Sequence, residues 1–137
     1  MIKLNGRYDH NAYRISSYPL SQALVDAKVE EGTWVTLLNG ELVLPSAGKK
    51  AFILMGSAKD GRNQVAGQIS PLATILAGPL SVSTDMVDTT KTFTEMGELT
   101  TDAEGKLVPV TDAATEVTLA YSLDSALNDG FLRIVCA

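Results

Sequence analysis

The 137-residue chain holds one cysteine and one histidine, and aromatic residues make up only 6% of it. The lone cysteine, Cys136, excludes an intramolecular disulfide and any zinc site built from several thiolates. The lone histidine, His10, is the one residue on which a Ser-His-Asp or Cys-His arrangement could draw, and no GxSxG elbow presents a serine. Cys136 reads instead as a small apolar side chain at a core edge. No apolar run approaches the ~18 residues that span a bilayer. Lys3, Asn5, Arg7, Asp9 and His10 break up the stretch that a signal peptide would need. A soluble protein assembled in a cytoplasm, with no membrane partner, is the expectation.

Phosphate chemistry and metals are equally thin. GPLSVSTD and SAKDGR lack the spaced glycine followed by G-K-S/T that cradles a phosphate, and no dinucleotide fingerprint is present. Asp102-Ala103-Glu104-Gly105 has the start of a calcium loop but not its third acidic pair or its distant bidentate glutamate, so it reads as a turn. The expectation is no catalytic site, no cofactor and no metal. A net charge of −5 argues against nucleic acid, which needs a basic stripe. The charge is uneven: between Thr84 and Asp129 ten acids face two bases, Lys91 and Lys106, whereas the first twenty residues carry Lys3, Arg7 and Arg14 against Asp9. Such asymmetry can be complementary between copies, although solvated surface charge is the plainer reading.

What is present is strand grammar. TWVTLL and ELVLP flank Asn39-Gly40, the strongest short hairpin signal, because both turn residues take positive φ. Pro45 ends the second strand. Trp34 is expected in the core. AFILM, after Lys49-Lys50, suits a strand covered on both faces. SAKDGRNQ reads as a polar turn before VAGQI. Residues 71–77 admit a helix starting at Pro71 or a strand, with strand favoured, and LSVST is a strand. GELTT and KLVPV flank a turn at Asp102 to Gly105. EVTLAYSL predicts a strand with Val117, Leu119 and Tyr121 on one face, and Asn128-Asp129-Gly130 leads into the closing strand FLRIV.

The expected fold is therefore all-β, a small antiparallel β-barrel or sandwich with at most one or two short helices. Residues 29–137 form the body. Residues 1–28 form an extended N-terminal arm, with a short helix at Ser21 to Lys28 capped by Ser21 and carrying Ala23, Leu24 and Ala27 on one side. The arm either orders on a partner surface or folds back on its own domain. Tyr8, Tyr13, Arg14 and Tyr18 are the candidate partner-binding residues, since each joins a large body to a polar end.

From about Val29 onwards the chain resembles the small capsid decoration (cement) proteins of tailed bacteriophages. The resemblance lies in Glu31-Gly32-Thr33-Trp34-Val35 before the Asn-Gly hairpin and in Gly78-Pro79-Leu80-Ser81-Val82-Ser83-Thr84-Asp85. It continues in Gly97-Glu98-Leu99-Thr100-Thr101-Asp102 followed by Gly105-Lys106-Leu107-Val108-Pro109, and in Asp129-Gly130-Phe131-Leu132-Arg133-Ile134. It implies a non-enzymatic viral structural protein on the outer surface of the expanded head. Such a subunit is a homotrimer or homodimer that bridges copies of the major capsid protein, with its arm across neighbouring subunits. A tail-tube or head–tail joining subunit and a small-ligand-binding β-barrel are the alternatives.

Overall fold

A computed structural model describes residues 2–4, 14–55 and 72–137. The expected turn at Asp60-Gly61 and strand VAGQI lie outside these residues. The chain is mainly β. Its described elements run β1 (Ile2–Leu4), β2 (Arg14–Pro19), α1 (Gln22–Ala27), β3 (Trp34–Leu38), β4 (Glu41–Val43), β5 (Phe52–Met55) and β6 (Leu72–Leu76). They continue through β7 (Ser81–Thr84), β8 (Glu98–Thr101), β9 (Leu107–Pro109), β10 (Ala120–Ser122) and β11 (Leu132–Cys136). Two antiparallel sheets result, one ordered β1-β7-β11-β10-β8-β9 and the other β2-β6-β5-β3-β4. The chain moves from the second sheet to the first at Gly78-Pro79, between β6 and β7. Among the described strands, β1 alone breaks the rule that each half of the chain builds one sheet.

Local chemistry explains most of these elements. Asn39 and Gly40 both take positive φ, which closes a two-residue hairpin with Leu38 opposite Glu41. Asp129 and Gly130 do the same, with Asn128 and Phe131 exchanging both backbone hydrogen bonds at 2.8 and 3.0 Å. Residues 72–76 are a strand, paired with β5 through Ile53–Leu76, Leu54–Ile75 and Met55–Thr74. Ser21 caps α1 by accepting from the Leu24 amide, as expected, but the buried face differs from the expected one. Leu24 is buried with Val25 and Val29 beside it, while Ala23 and Ala27 face solvent, because the helix lies on the larger side chains.

The five-stranded sheet is apolar on both faces. Trp34, Ile53 and Leu76 face the six-stranded sheet and pack with Val82, Leu99, Leu107, Leu132 and Ile134. Val35, Leu54, Ala73 and Ile75 face the other way and pack with Leu20, Leu24 and Leu42. This double burial accounts for the unbroken run AFILM. EVTLAYSL departs from expectation: only Ala120–Ser122 joins the ladder, and Val117 is exposed. The segment before it is held by separate bonds, Val117 N–H to Gly48 O at 2.8 Å and Leu119 N–H to Leu99 O at 2.8 Å. Ala120 and Ser122 take the inner face, and Tyr121 points outward, half-buried.

The described parts of residues 1–28 join the two sheets or pack on them. β1 pairs with β7 and β2 with β6, each at a sheet edge, while Leu20 and Leu24 are buried. Unmet backbone groups at those edges and apolar side chains draw the segment onto its own domain. Residues 5–13 lie outside the described ones.

The sheets are also tied at one turn. The Trp34 amide donates to Gly105 O at 3.0 Å, so the β8–β9 turn sits on the start of β3. Gly105 has φ +79°, and a Cβ there would lie 2.6 Å from the Trp34 carbonyl oxygen and 2.7 Å from Thr33 Cγ2. Gly105→Ala is therefore expected to cost about 2 kcal/mol or more, from the strained backbone and the clash together. Thermal unfolding should show a Tm drop of roughly 5–10 °C; an unchanged Tm would mean that the turn has room to shift.

Candidate functional site

Of the four residues expected to bind a partner, Tyr8 and Tyr13 lie outside the described residues. Arg14 opens β2 opposite Leu76, and Tyr18 stands in the same strand opposite Ala73. Tyr18 is half-buried and packs on the cluster of Leu20, Leu24 and Ile75. His10 also lies outside the described residues.

Cys136 occupies the core edge expected of it. Burial pushes its thiol up to about 11, so it stays protonated near neutrality and is a poor nucleophile. It lines a crevice of about 20 Å³ with Trp34 and Lys50, room for about one water.

An open groove of about 440 Å³ runs between Asp88, Lys91, Asp102 and Glu116, floored by Thr101 and Val108. Its carboxylates hold their own loops together. Asp88 Oδ1 accepts from the Thr90 amide and hydroxyl at 3.0 and 2.6 Å. Asp102 Oδ1 accepts from the amides of Glu104 and Lys106 at 2.9 and 3.0 Å, which confirms Asp102 as a turn residue. Glu116 Oε1 accepts from the Thr111 amide, the Thr111 hydroxyl and the Asp112 amide at 2.9, 3.0 and 2.7 Å. These bonds hold the Asp88 and Glu116 carboxyls below their usual range. No group of three metal-ligating side chains forms among the described residues.

The feature that most resembles a binding surface was missed by sequence reasoning. Five large apolar side chains are exposed among the described residues, and three of them, Leu37, Leu38 and Leu44, sit on or beside the β3–β4 hairpin at 37%, 59% and 38% exposure. Leu37 shares a face with its cross-strand partner Leu42, whereas Leu38 points with Glu41 to the opposite one. Exposed leucines thus stand on both sides of the hairpin. The signal was available: two consecutive leucines before Asn39 cannot both face one core.

Backbone pairing at this hairpin is restricted. The Ser21 amide takes Leu42 O at 2.9 Å, Leu20 bridges Leu42, and Pro45 follows β4. The β9 edge is covered likewise, since Leu107 donates to Met86 O at 2.9 Å and accepts from the Asp88 amide at 3.0 Å. Closed edges leave side chains, rather than added strands, as the means of contact at both places.

No protein-family model, curated protein or solved structure matches this chain. Among the described residues no helix is long and apolar enough to cross a membrane.

Two outcomes test the groove. A lowered carboxyl pKa favours the folded state above the unfolded value, and the advantage fades as pH falls through the folded one. The Tm gap between wild type and Glu116→Gln should therefore be present near neutrality and close below about pH 4.5; a gap that persists unchanged in acid would remove Glu116 from the loop's stability. Thr101 Oγ1 is buried without a hydrogen-bond partner among the described residues. Thr101→Val should raise stability by about 1 kcal/mol, seen as a higher urea midpoint, by removing that unmet hydroxyl. A lower midpoint would show that the hydroxyl is satisfied in solution.

Proposed function

We propose that the chain is a viral structural subunit, a decoration (cement) protein on the outer surface of a tailed-phage head. In this reading it is assembled in the host cytoplasm, self-associates as a homotrimer or homodimer, and bridges copies of the major capsid protein without enzymatic activity. The observation that carries the reading is the β3–β4 hairpin, which offers Leu37, Leu38 and Leu44 to a partner instead of to the core. Exposed apolar side chains gathered at one place are a feature of protein contact surfaces. The resemblance to decoration proteins runs through the same segment, with Glu31 to Val35 leading directly into this hairpin.

The proposed mechanism is adhesion. Covering what remains exposed of each leucine contributes on the order of 1 kcal/mol, so one hairpin holds weakly. Many copies engaging one shell together hold firmly, because each attached subunit raises the effective concentration of its neighbours' contacts. Internal pressure must then expose all of that covered area before the shell opens. The acidic region from Asp85 to Asp129 is placed by this reading on the solvent side or against a basic capsid surface.

The test is co-sedimentation of purified protein with expanded capsid shells. Wild type should pellet with the shells at a stoichiometry near that of the major shell protein. The Leu37→Asp/Leu38→Asp variant should bind at least tenfold more weakly while keeping its circular-dichroism strand signal. No binding by wild type, or equal binding by the variant, would overturn the proposal. Mass spectrometry of whole particles gives a second readout: a few copies per particle would assign the chain to the tail or the head–tail joint.

A further inference from the structure

The β3–β4 hairpin turns at Asn39-Gly40, a pair with chemistry of its own. A glycine nitrogen that follows asparagine can attack the asparagine side-chain carbonyl, because no Cβ stands in the way. Both reacting groups are free in this turn. Asn39 and Gly40 are exposed, and neither the Asn39 side-chain amide nor the Gly40 backbone amide bonds to another described residue. Nothing lies within 4 Å of the position that a Gly40 Cβ would take, so a ring forming there has room. Three residue pairs join β3 to β4, and fraying of the outermost, Leu38–Glu41, lets Asn39 and Gly40 rotate into contact. Asn128, in the exposed turn before β11, differs on two counts. Asp129 follows it with a side chain beside the attacking nitrogen, and the Asn128 amide and carbonyl are both bonded to Phe131, at 2.8 and 3.0 Å.

We infer that Asn39 is a site of spontaneous modification by water, which changes the hairpin tip as the protein ages. The Gly40 nitrogen gives its proton to water or hydroxide and bonds to Asn39 Cγ, while the side-chain nitrogen takes up a proton and leaves as ammonia. Water then opens the resulting succinimide at one of its two carbonyls. Opening at one gives aspartate, which suits the turn as asparagine does. Opening at the other gives isoaspartate, whose main chain runs through Cβ and gains an atom between Leu38 and Glu41. A two-residue turn has no slack for that atom, so the Leu38–Glu41 pair shifts. Either product also places a negative charge beside the exposed Leu38. The conversion concerns the chain alone, and only its effect on attachment rests on the reading of this hairpin as a contact surface.

Ageing of the purified, folded chain tests it, in mildly alkaline and mildly acidic buffer. Trypsin separates Asn39, in residues 29–49, from Asn128, in residues 107–133, and from the second Asn-Gly pair, Asn5-Gly6, which lies outside the described residues. Residues 29–49 hold no other asparagine or aspartate. Mass spectrometry counts amide-to-acid conversion, and labelling by an isoaspartyl methyltransferase identifies isoaspartate. Conversion at Asn39 should run at least about tenfold faster than at Asn128, and should yield isoaspartate as well as aspartate. It should also be faster in the alkaline buffer, because the attacking amide must lose its proton. Conversion at Asn39 no faster than at Asn128, or aspartate without isoaspartate, would overturn the inference. Aged wild type should bind expanded shells more weakly than equally aged Asn39→Gly, in which Gly-Gly still suits the turn. Equal binding would overturn the effect on attachment. Should fresh protein bind no shells, the attachment reading falls while the peptide masses still decide the conversion.

Discussion

The five-stranded sheet carries apolar side chains on both faces, and most of the architecture follows from keeping both of them dry. Trp34, Ile53 and Leu76 require the six-stranded sheet above them, while Val35, Leu54 and Ile75 require Leu20, Leu24 and Leu42 below. The two requirements meet in adjacent residues of β3: Trp34 enters one cluster and Val35 the other. The short helix α1 is there because Leu24 completes the second cluster, and its six residues would not be stable alone. The β8–β9 turn reaches across to the start of β3 because Gly105 allows backbone to meet backbone at the junction of the sheets.

Edges are the other organising constraint. Two sheets have four edges, and a bare edge invites addition of any strand. β4 is covered by Leu20 and Ser21, and β9 by residues 86–88. With the β4 edge closed, contact at the β3–β4 hairpin falls to its exposed leucines. The acidic side chains contribute order more than binding. Asp88, Asp102 and Glu116 each tie down the loop that carries them, and Asp124 is held by Arg133 through two hydrogen bonds of 2.9 and 2.6 Å. A surface pair of that kind adds little stability, whereas the bonds of Asp88, Asp102 and Glu116 fix loops that line the groove.

Much of the strand content was legible from short-range chemistry. Asn39-Gly40 and Asp129-Gly130 announced hairpins because positive φ at consecutive residues has few other uses. AFILM announced a strand with two covered faces, whereas the structure shows that Leu132 and Ile134 are the inward residues of FLRIV. The candidate surface was legible only in hindsight. Leu37 and Leu38 read as ordinary strand residues until the sheet showed that the core stops short of the hairpin tip. The tyrosines and Arg14 stand out by residue type alone, and type does not say whether Tyr18 meets a partner or its own core.

The fold class, the hairpin turns and the core position of Trp34 follow from short-range chemistry, because each depends on a residue and its near neighbours in sequence. Tertiary structure alone decided that β1 belongs to the sheet built by the other half of the chain, that Val117 faces solvent, and that Leu24 rather than Ala23 or Ala27 is buried. Those outcomes depend on which edge and which face remain unfilled once distant strands have paired. That information is spread over the whole chain and has no local signature.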